Sequence, residues 1–280
     1  IISAIEHPAI SKVLERLKPF GVKASLVPVN RQGVLNTSIL LDLIRDDTGL
    51  ISIMLANNEI GVIQPIQKII KQINKYNILF HTDAVQAIGK ISVDVCDLGI
   101  DYMSLSAHKF YGPKGVGALF VKNRAEFDSF IVGGDQENGL RGGTENIAGI
   151  VGMGLAAELA VKNQEKCATQ LKSLEKHFLL KIRQSYPLVK HNTTNNIPGL
   201  ISISFPGHKS DILMAKLDRA NFAVSNGSAC NTGNIKPSKV LKAIGLNDEI
   251  NLSTLRISFG KDNTIEEVDE LIKTLDNILN

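Results

Sequence analysis

Ser104-Leu105-Ser106-Ala107-His108-Lys109 ends an apolar run with two hydroxyls, an imidazole and a lysine, and the turn Gly112-Pro113-Lys114-Gly115 follows. The run from Tyr102 to Leu105 reads as a strand, so the lysine stands where a strand opens into a loop. An ordinary lysine titrates at about 10.4 and stays solvated, whereas one held in a site condenses with a carbonyl as a Schiff base. The plainer alternative is an exposed lysine after a strand. Apolar runs at Ala24 to Val29, Leu50 to Leu55, Ile78 to Phe80 and Val116 to Val121 read as further strands. Helical patterns lie between several of them, notably Pro65 to Tyr76, with Pro65 suited to a first helical position. That alternation predicts an α/β fold with a mostly parallel sheet.

Three more segments carry residues of chemical interest. Asn77-Ile78-Leu79-Phe80 runs into His81-Thr82-Asp83-Ala84-Val85-Gln86, which puts an aspartate just past a strand end. Such a carboxylate can hold a ring nitrogen protonated, or it can cap a helix. In Ser225-Asn226-Gly227-Ser228-Ala229-Cys230-Asn231-Thr232-Gly233 a cysteine sits among small and turn-forming residues, as an accessible reactive thiol or an inert surface one. In Leu255-Arg256-Ile257-Ser258-Phe259-Gly260 an arginine interrupts a strand. Facing inward, its planar fork suits a carboxylate; on an edge strand it faces solvent.

The second half reads as a long helix from Glu145 to about Tyr186, then a strand at Leu200 to Phe205, a helix from Ser210 to Ala220, and strands near Phe222 and Leu255. A domain boundary is placed near residue 162, giving units 1–162 and 163–280. Thr264-Ile265-Glu266-Glu267 is a capping box for a last helix whose Ile265, Val268, Leu271, Ile272, Leu275 and Ile278 share a face. A chain of 280 residues, 44% hydrophobic, buries a sizeable core at the size where one core begins to split into two. A formal charge of +3 argues against nucleic acid or an anionic membrane surface, and no run of about 18 apolar residues suggests a span. Cys96, Cys167 and Cys230 have no paired spacing, which argues against a disulfide framework or a metal site and favours a reducing, cytoplasmic compartment. Cys96 and Cys167 are expected to be shielded by apolar or helical surroundings.

Taken together, Asn57-Asn58-Glu59-Ile60-Gly61, His81-Thr82-Asp83-Ala84-Val85-Gln86, Ser106-Ala107-His108-Lys109, Gly139-Leu140-Arg141-Gly142-Gly143-Thr144 and Gly227-Ser228-Ala229-Cys230 resemble, in order, the cysteine desulfurases. These are class V aminotransferase-type enzymes of the nitrogenase-associated and iron-sulfur-cluster housekeeping group. The resemblance runs from Glu6-His7 to the C-terminus. It implies a pyridoxal 5'-phosphate enzyme of fold type I, with a mostly parallel large-domain sheet and a smaller α+β C-terminal domain, acting as a homodimer on L-cysteine. Lys109 would carry the cofactor and move protons at the α-carbon. Asp83 would pair with the pyridine nitrogen, Gln86 with the phenolic oxygen, and His7 would stack on the ring, although His7 before Pro8 also reads as a helix cap. Ser106 and His108 would hold the phosphate, with Thr144 reaching it from the neighbouring subunit. Asn58, which also reads as a turn residue, would sit by the cofactor and bind the substrate carboxylate with Arg256. Cys230 would take the sulfur as a persulfide and pass it to a scaffold or relay protein for iron-sulfur clusters or thio-cofactors.

Two departures from the family pattern stand out. The resemblance implies a further segment before the position of Ile1, with a small-residue loop ending in threonine at the phosphate. Family members also tend to read Gly-Gly-Gly-Gln-Glu-Arg-Gly where this chain has Gly133-Gly134-Asp135-Gln136-Glu137-Asn138-Gly139, an exchange that weakens anion binding if those side chains face the phosphate. Another pyridoxal phosphate lyase or aminotransferase, including selenocysteine lyase, would share Lys109 and Asp83 but would not need Cys230 in the same way. A non-catalytic binding protein of the same fold is the rival from another class.

Overall fold

A computed structural model of the chain describes residues 1–122, 127–227 and 236–279. The strands are β1 (Ile2–Ser3), β2 (Leu26–Val27), β3 (Leu50–Ser52), β4 (Leu79–Asp83), β5 (Tyr102–Ser106), β6 (Gly117–Val121), β7 (Lys190–His191), β8 (Leu200–Ser204) and β9 (Thr254–Ser258). The helices are α1 (Pro8–Leu17), α2 (Thr37–Asp42), α3 (Ile66–Ile73), α4 (Val95–Leu98), α5 (Ile147–Ser185), α6 (Ser210–Arg219), α7 (Lys239–Ala243), α8 (Asp248–Asn251) and α9 (Ile265–Leu279). One sheet has the order β2-β1-β3-β4-β5-β6 and the other β7-β8-β9. In the first, only the β5–β6 pairing is antiparallel; the second is antiparallel throughout.

This is the mostly parallel α/β sheet expected from the alternation, followed by a smaller α+β unit. Ile66, Ile69 and Ile73 of α3, spaced three and four apart, pack against Ile51, Phe80 and their neighbours on the first sheet. Leu174, Phe178 and Ile182 of α5 pack with α9 against β8 and β9. The capping box of α9 forms as expected, with Glu267 N–H donating to Thr264 Oγ1 at 3.3 Å and Thr264 N–H to Glu267 Oε2 at 3.1 Å. Its four buried side chains, at about 1.5–3 kcal/mol each, outweigh a cap of about 1 kcal/mol. The face therefore holds α9 on the sheet, and the cap decides where it begins.

Several boundaries differ from the sequence expectation for local reasons. β2 covers two residues, and Pro28, which has no N–H for a ladder, follows it. Pro65 is the residue before α3 rather than its first. No strand forms at Phe222; Ser225 alone bridges to Arg256. β4 runs on through His81-Thr82-Asp83, so Asp83 ends the strand instead of lying past it. Those polar side chains are satisfied inside the sheet: Ser52 Oγ and His81 Nδ1 are 2.7 Å apart, His81 Nε2 and Ser104 Oγ 2.9 Å, and Thr82 Oγ1 donates to Ile53 O at 2.7 Å. The 39-residue helix α5 links the two sheets, and position 162 falls inside it.

Candidate active site

Four of the parallel strands, β1, β3, β4 and β5, are neighbours, and His7, Asn58, Asp83 and the Ser106–Lys109 stretch lie at or beyond their C-terminal ends. Open α/β sheets bind ligands at such an edge. After β5 the chain makes one tight helical turn, Ala107–Phe110, with Ala107 and Phe110 buried against Ala156 of α5. Tyr111 closes it at φ 66, and Gly112 N–H returns to Ala107 O at 2.8 Å. With its apolar residues anchored, the turn presents His108 and Lys109 outward. Ser106 Oγ and His108 Nδ1 are 2.8 Å apart. His108 and Lys109 line an open cleft of 690 Å³ with Lys90, Cys167 and Lys261. A larger cavity of 780 Å³ between β9 and α9 holds none of these residues.

The field in this region favours a neutral amine and an incoming anion. Lys109 is open to solvent as a whole, yet desolvation lowers its amine below the usual lysine value, the Arg256 guanidinium adds to this, and Asp83 opposes it. Lys90 is pushed down to about 8, by burial first and then by Lys109 and Arg256. Asp83 is buried; its Oδ1 accepts from Val85 N–H at 2.9 Å, and among the described residues no cation pairs with it within 4.0 Å. Arg256, from β9, reaches the turn beyond β3 and donates through Nη1 to Asn58 O at 2.9 Å. Its Nε is buried without a hydrogen-bond partner among the described residues, which is where an anion can sit.

The remaining candidates fall into place unevenly. His7 caps α1, its Nδ1 accepting from Ala9 N–H at 3.1 Å, so the neutral ring carries its proton on Nε2. Gln86 is buried in the turn after Asp83. Thr144 is exposed before α5 and makes no hydrogen bond to the others among the described residues. Asp135 and Glu137 of the departing glycine-rich stretch are exposed. Cys230 lies outside the described residues. Cys96, expected to be shielded, is exposed: it sits in the first turn of the four-residue α4, which buries none of its residues. Cys167 is half-buried in the cleft wall.

Sequence reasoning passed over four structural residues. Asn57, fully buried, donates to Ile5 O and accepts from Glu59 and Ile60 N–H, fixing the turn that offers Asn58. Glu59 takes a hydrogen bond from Ser238, and His81 locks β4 to both neighbours. Glu6 is buried behind His7, Oε1 accepting from Met54 N–H at 2.8 Å while Oε2 has no partner among the described residues. Burial, more than its neighbour Asp83, pushes its carboxyl up to about 8. The folded chain thus keeps a proton that the unfolded chain releases from about pH 4.5 upward, so stability falls between pH 4.5 and 8, by at most about 1.4 kcal/mol per pH unit. Glu6→Gln is expected to flatten that slope and to exceed the parent's stability at pH 9. Urea unfolding at pH 5, 7 and 9 checks this, and parallel slopes in the two proteins contradict it.

Comparison with known proteins agrees with this geometry. The aminotransferase class-V profile matches residues 1–271. The cysteine desulfurase IscS of Clostridium botulinum (strain Hall) is 42% identical over 283 residues, covering 100% of this chain and 71% of the relative. The IscS of Methanosarcina thermophila is 41% identical, covering 100% and 69%. Among solved structures, a NifS-like protein superposes with a TM-score of 0.92 at 37% identity, covering 99% of this chain and 74% of the other. A structure described as SspA in complex with cysteine reaches 0.79 at 34% identity, covering 94% and 74%. The chain therefore belongs to the class-V aminotransferase family and, within it, to the cysteine desulfurases.

Proposed function

We propose that this chain converts L-cysteine to L-alanine with pyridoxal 5'-phosphate as cofactor, leaving the sulfur as a persulfide on Cys230 for iron-sulfur clusters or thio-cofactors. The family's enzymes depend on that cofactor, and the residues here fit it. The observation that carries the reading is one arrangement: Asp83 ends β4, Lys109 stands in the turn that follows the parallel neighbour β5, and Arg256 arrives from the second sheet with a buried Nε that has no partner among the described residues. On this reading Lys109 would hold the cofactor, with Asp83 at its ring nitrogen, Gln86 at its phenolic oxygen, and Ser106 and His108, together with Thr144 of a second subunit, at its phosphate. His7, held by its cap contact, would stack on the ring.

When bound, the cofactor withdraws electron density from the substrate's α-carbon. Arg256 and Asn58 hold the substrate carboxylate, which fixes the α-carbon and points the side chain away from the fork. Lys109 moves the proton at the α-carbon. The thiolate of Cys230 attacks the substrate sulfur: the new S–S bond forms, the substrate Cβ–S bond breaks, and the electron pair left on carbon is protonated to give alanine. Residues 1–162 act as the cofactor-binding domain and 163–280 as the smaller one, a division supported by the separate core of α5, α6, α9, β8 and β9. A homodimer, a sulfur-accepting scaffold or relay protein, and the cytoplasm complete the reading. No helix among the described residues is long and apolar enough to cross a membrane.

The test is the absorption spectrum of the purified protein. A yellow band that shifts on addition of L-cysteine, with alanine and sulfide released under reducing conditions, supports the reading; a colourless protein that takes up no added cofactor sinks it. Arg256→Lys keeps a cation but loses the fork. It is expected to keep the cofactor band and raise KM for L-cysteine at least tenfold, an interaction of about 1.4 kcal/mol or more. Steady-state kinetics check this, and an unchanged KM removes Arg256 from the carboxylate site.

A further inference from the structure

Every polar atom of Ser238 is committed. Its N–H donates to Asn251 Oδ1 at 2.8 Å, and its carbonyl accepts from Asn251 Nδ2 at 2.9 Å. Its Oγ accepts from the N–H groups of Val240 and Leu241 at 3.1 and 3.2 Å, as the cap of α7. Those two bonds use both lone pairs of the oxygen, so the single hydroxyl proton is left to point elsewhere. It goes to Glu59 Oε2, 2.5 Å away, in the turn beyond β3. Ser238 and Asn251 are buried and Glu59 is half-buried. The backbone of Glu59 is fixed by Asn57, whose Oδ1 accepts its N–H at 2.8 Å.

Held at both ends, Glu59 stays off Arg256. The arginine gives Nη1 to the carbonyl of the adjoining Asn58, and its buried Nε has no partner among the described residues. Burial pushes the guanidinium down and Glu59 opposes this, so the two charges act on one another. Yet among the described residues no carboxylate oxygen lies within 4.0 Å of an Arg256 nitrogen. His7 is the other positive group that acts on Glu59. An untethered carboxylate this close to a desolvated fork would close on it, because a charge-assisted pair is about twice as strong as a neutral hydrogen bond. The closed pair would occupy the donors that a substrate carboxylate needs.

We infer that Ser238 is a positioning residue for the substrate-carboxylate site: its hydroxyl, aimed by the α7 cap, holds the Glu59 carboxyl away from Arg256 and keeps the arginine fork open. This rests on the reading of Arg256 as the group that binds the substrate carboxylate. At its tethered distance Glu59 still offsets the charge of a buried guanidinium without filling it. Without the hydroxyl, Glu59 becomes an internal competitor of L-cysteine.

The test uses the cofactor-loaded chain and the unreactive product L-alanine, whose affinity is read from the absorbance change without turnover. Ser238→Ala is expected to weaken L-alanine binding about fivefold or more, and Glu59→Gln in the same background to restore it to within about twofold of the parent. The lost α7 cap is common to both variants, so it cannot produce the rescue. Ser238→Thr keeps the hydroxyl and should bind as the parent does. The Arg256 Nε–H resonance of the cofactor-free, nitrogen-15-labelled chain gives an independent readout. It should shift when propionate is added to the parent, lie displaced before any addition in Ser238→Ala, and return to the parent's position in the double variant. Parent-like affinity in Ser238→Ala overturns the inference, and so does a loss that Glu59→Gln fails to rescue, which would reduce Ser238 to a helix cap. A parent resonance that ignores propionate, with an unchanged KM in Arg256→Lys, removes the carboxylate site and the inference with it. If propionate shifts the parent resonance but Ser238→Ala starts from the parent's position, the site stands and the restraint falls.

Discussion

Lys109→Ala is expected to give a folded but colourless protein with no borohydride-reducible link to the cofactor and no desulfuration. The side chain is exposed at the cleft and carries no hydrogen bond to the fold among the described residues, so its removal leaves the core untouched. The turn that displays it is held instead by Ala107, Phe110 and the return of Gly112 to Ala107. Thermal unfolding should therefore stay within about 0.5 kcal/mol of the parent, the range of surface substitutions. Activity should drop by several orders of magnitude, because the amine both holds the cofactor and moves the α-proton. Borohydride reduction followed by peptide mapping checks the assignment. A reduced linkage surviving in the variant would place the cofactor on another lysine, and Lys90, whose amine is pushed down to about 8 in the same cleft, is the first to examine.

The second large effect is expected for Cys230→Ser. The variant should keep the yellow band and still bind L-cysteine, since none of the groups assigned to cofactor or carboxylate is altered. It should release no sulfide and carry no persulfide. A serine hydroxyl is a far weaker nucleophile toward sulfur than a thiolate, so the loss should be close to complete. Cys96, although exposed, sits on α4 away from the cleft-lining residues, and Cys167 lines the cleft only half-buried. The result that removes Cys230 from its role is a Cys230→Ser protein turning over at nearly the parent rate.

What the chain disclosed in one dimension was local. Lys109, Asp83 and Arg256 stood out because each interrupts or ends an apolar run, a mismatch that a strand tolerates only where it opens onto something polar. The α9 capping box and its apolar face were equally legible, since cap and face lie within one helix. Strand lengths were less so. β4 was read short because His81-Thr82-Asp83 is polar, and only partners outside the segment make those residues acceptable inside a sheet: serines on both neighbouring strands for His81, Ile53 O for Thr82 and Val85 N–H for Asp83.

What no local pattern discloses is long-range pairing, including that of Asn58 with Arg256, which only the family resemblance brings together. Ser238 and Glu59 are separated by 179 positions and Arg256 and Asn58 by 198, and no periodicity joins them. Glu59 appeared only as part of the Asn57–Gly61 motif, and Lys90 carried no signal in the sequence. Their significance comes from burial and from neighbours that only the packing of the second sheet against the strand ends supplies. The exposure of Cys96 was misjudged for the opposite reason: Val93-Asp94-Val95-Cys96 looks like part of a buried pattern, but it makes a four-residue surface helix capped by Asp94.

The central claim, sulfur abstraction by this chain's own cysteine with alanine as co-product, is tested most directly by a first-turnover measurement. The cofactor-loaded protein is mixed with a slight excess of L-cysteine without reductant, quenched, and analysed for both alanine and the site of the persulfide. The expected result is one alanine per persulfide sulfur, with the sulfur on Cys230. Pyruvate and ammonia in place of alanine, or a persulfide on Cys96 or Cys167 with Cys230 unmodified, would contradict it.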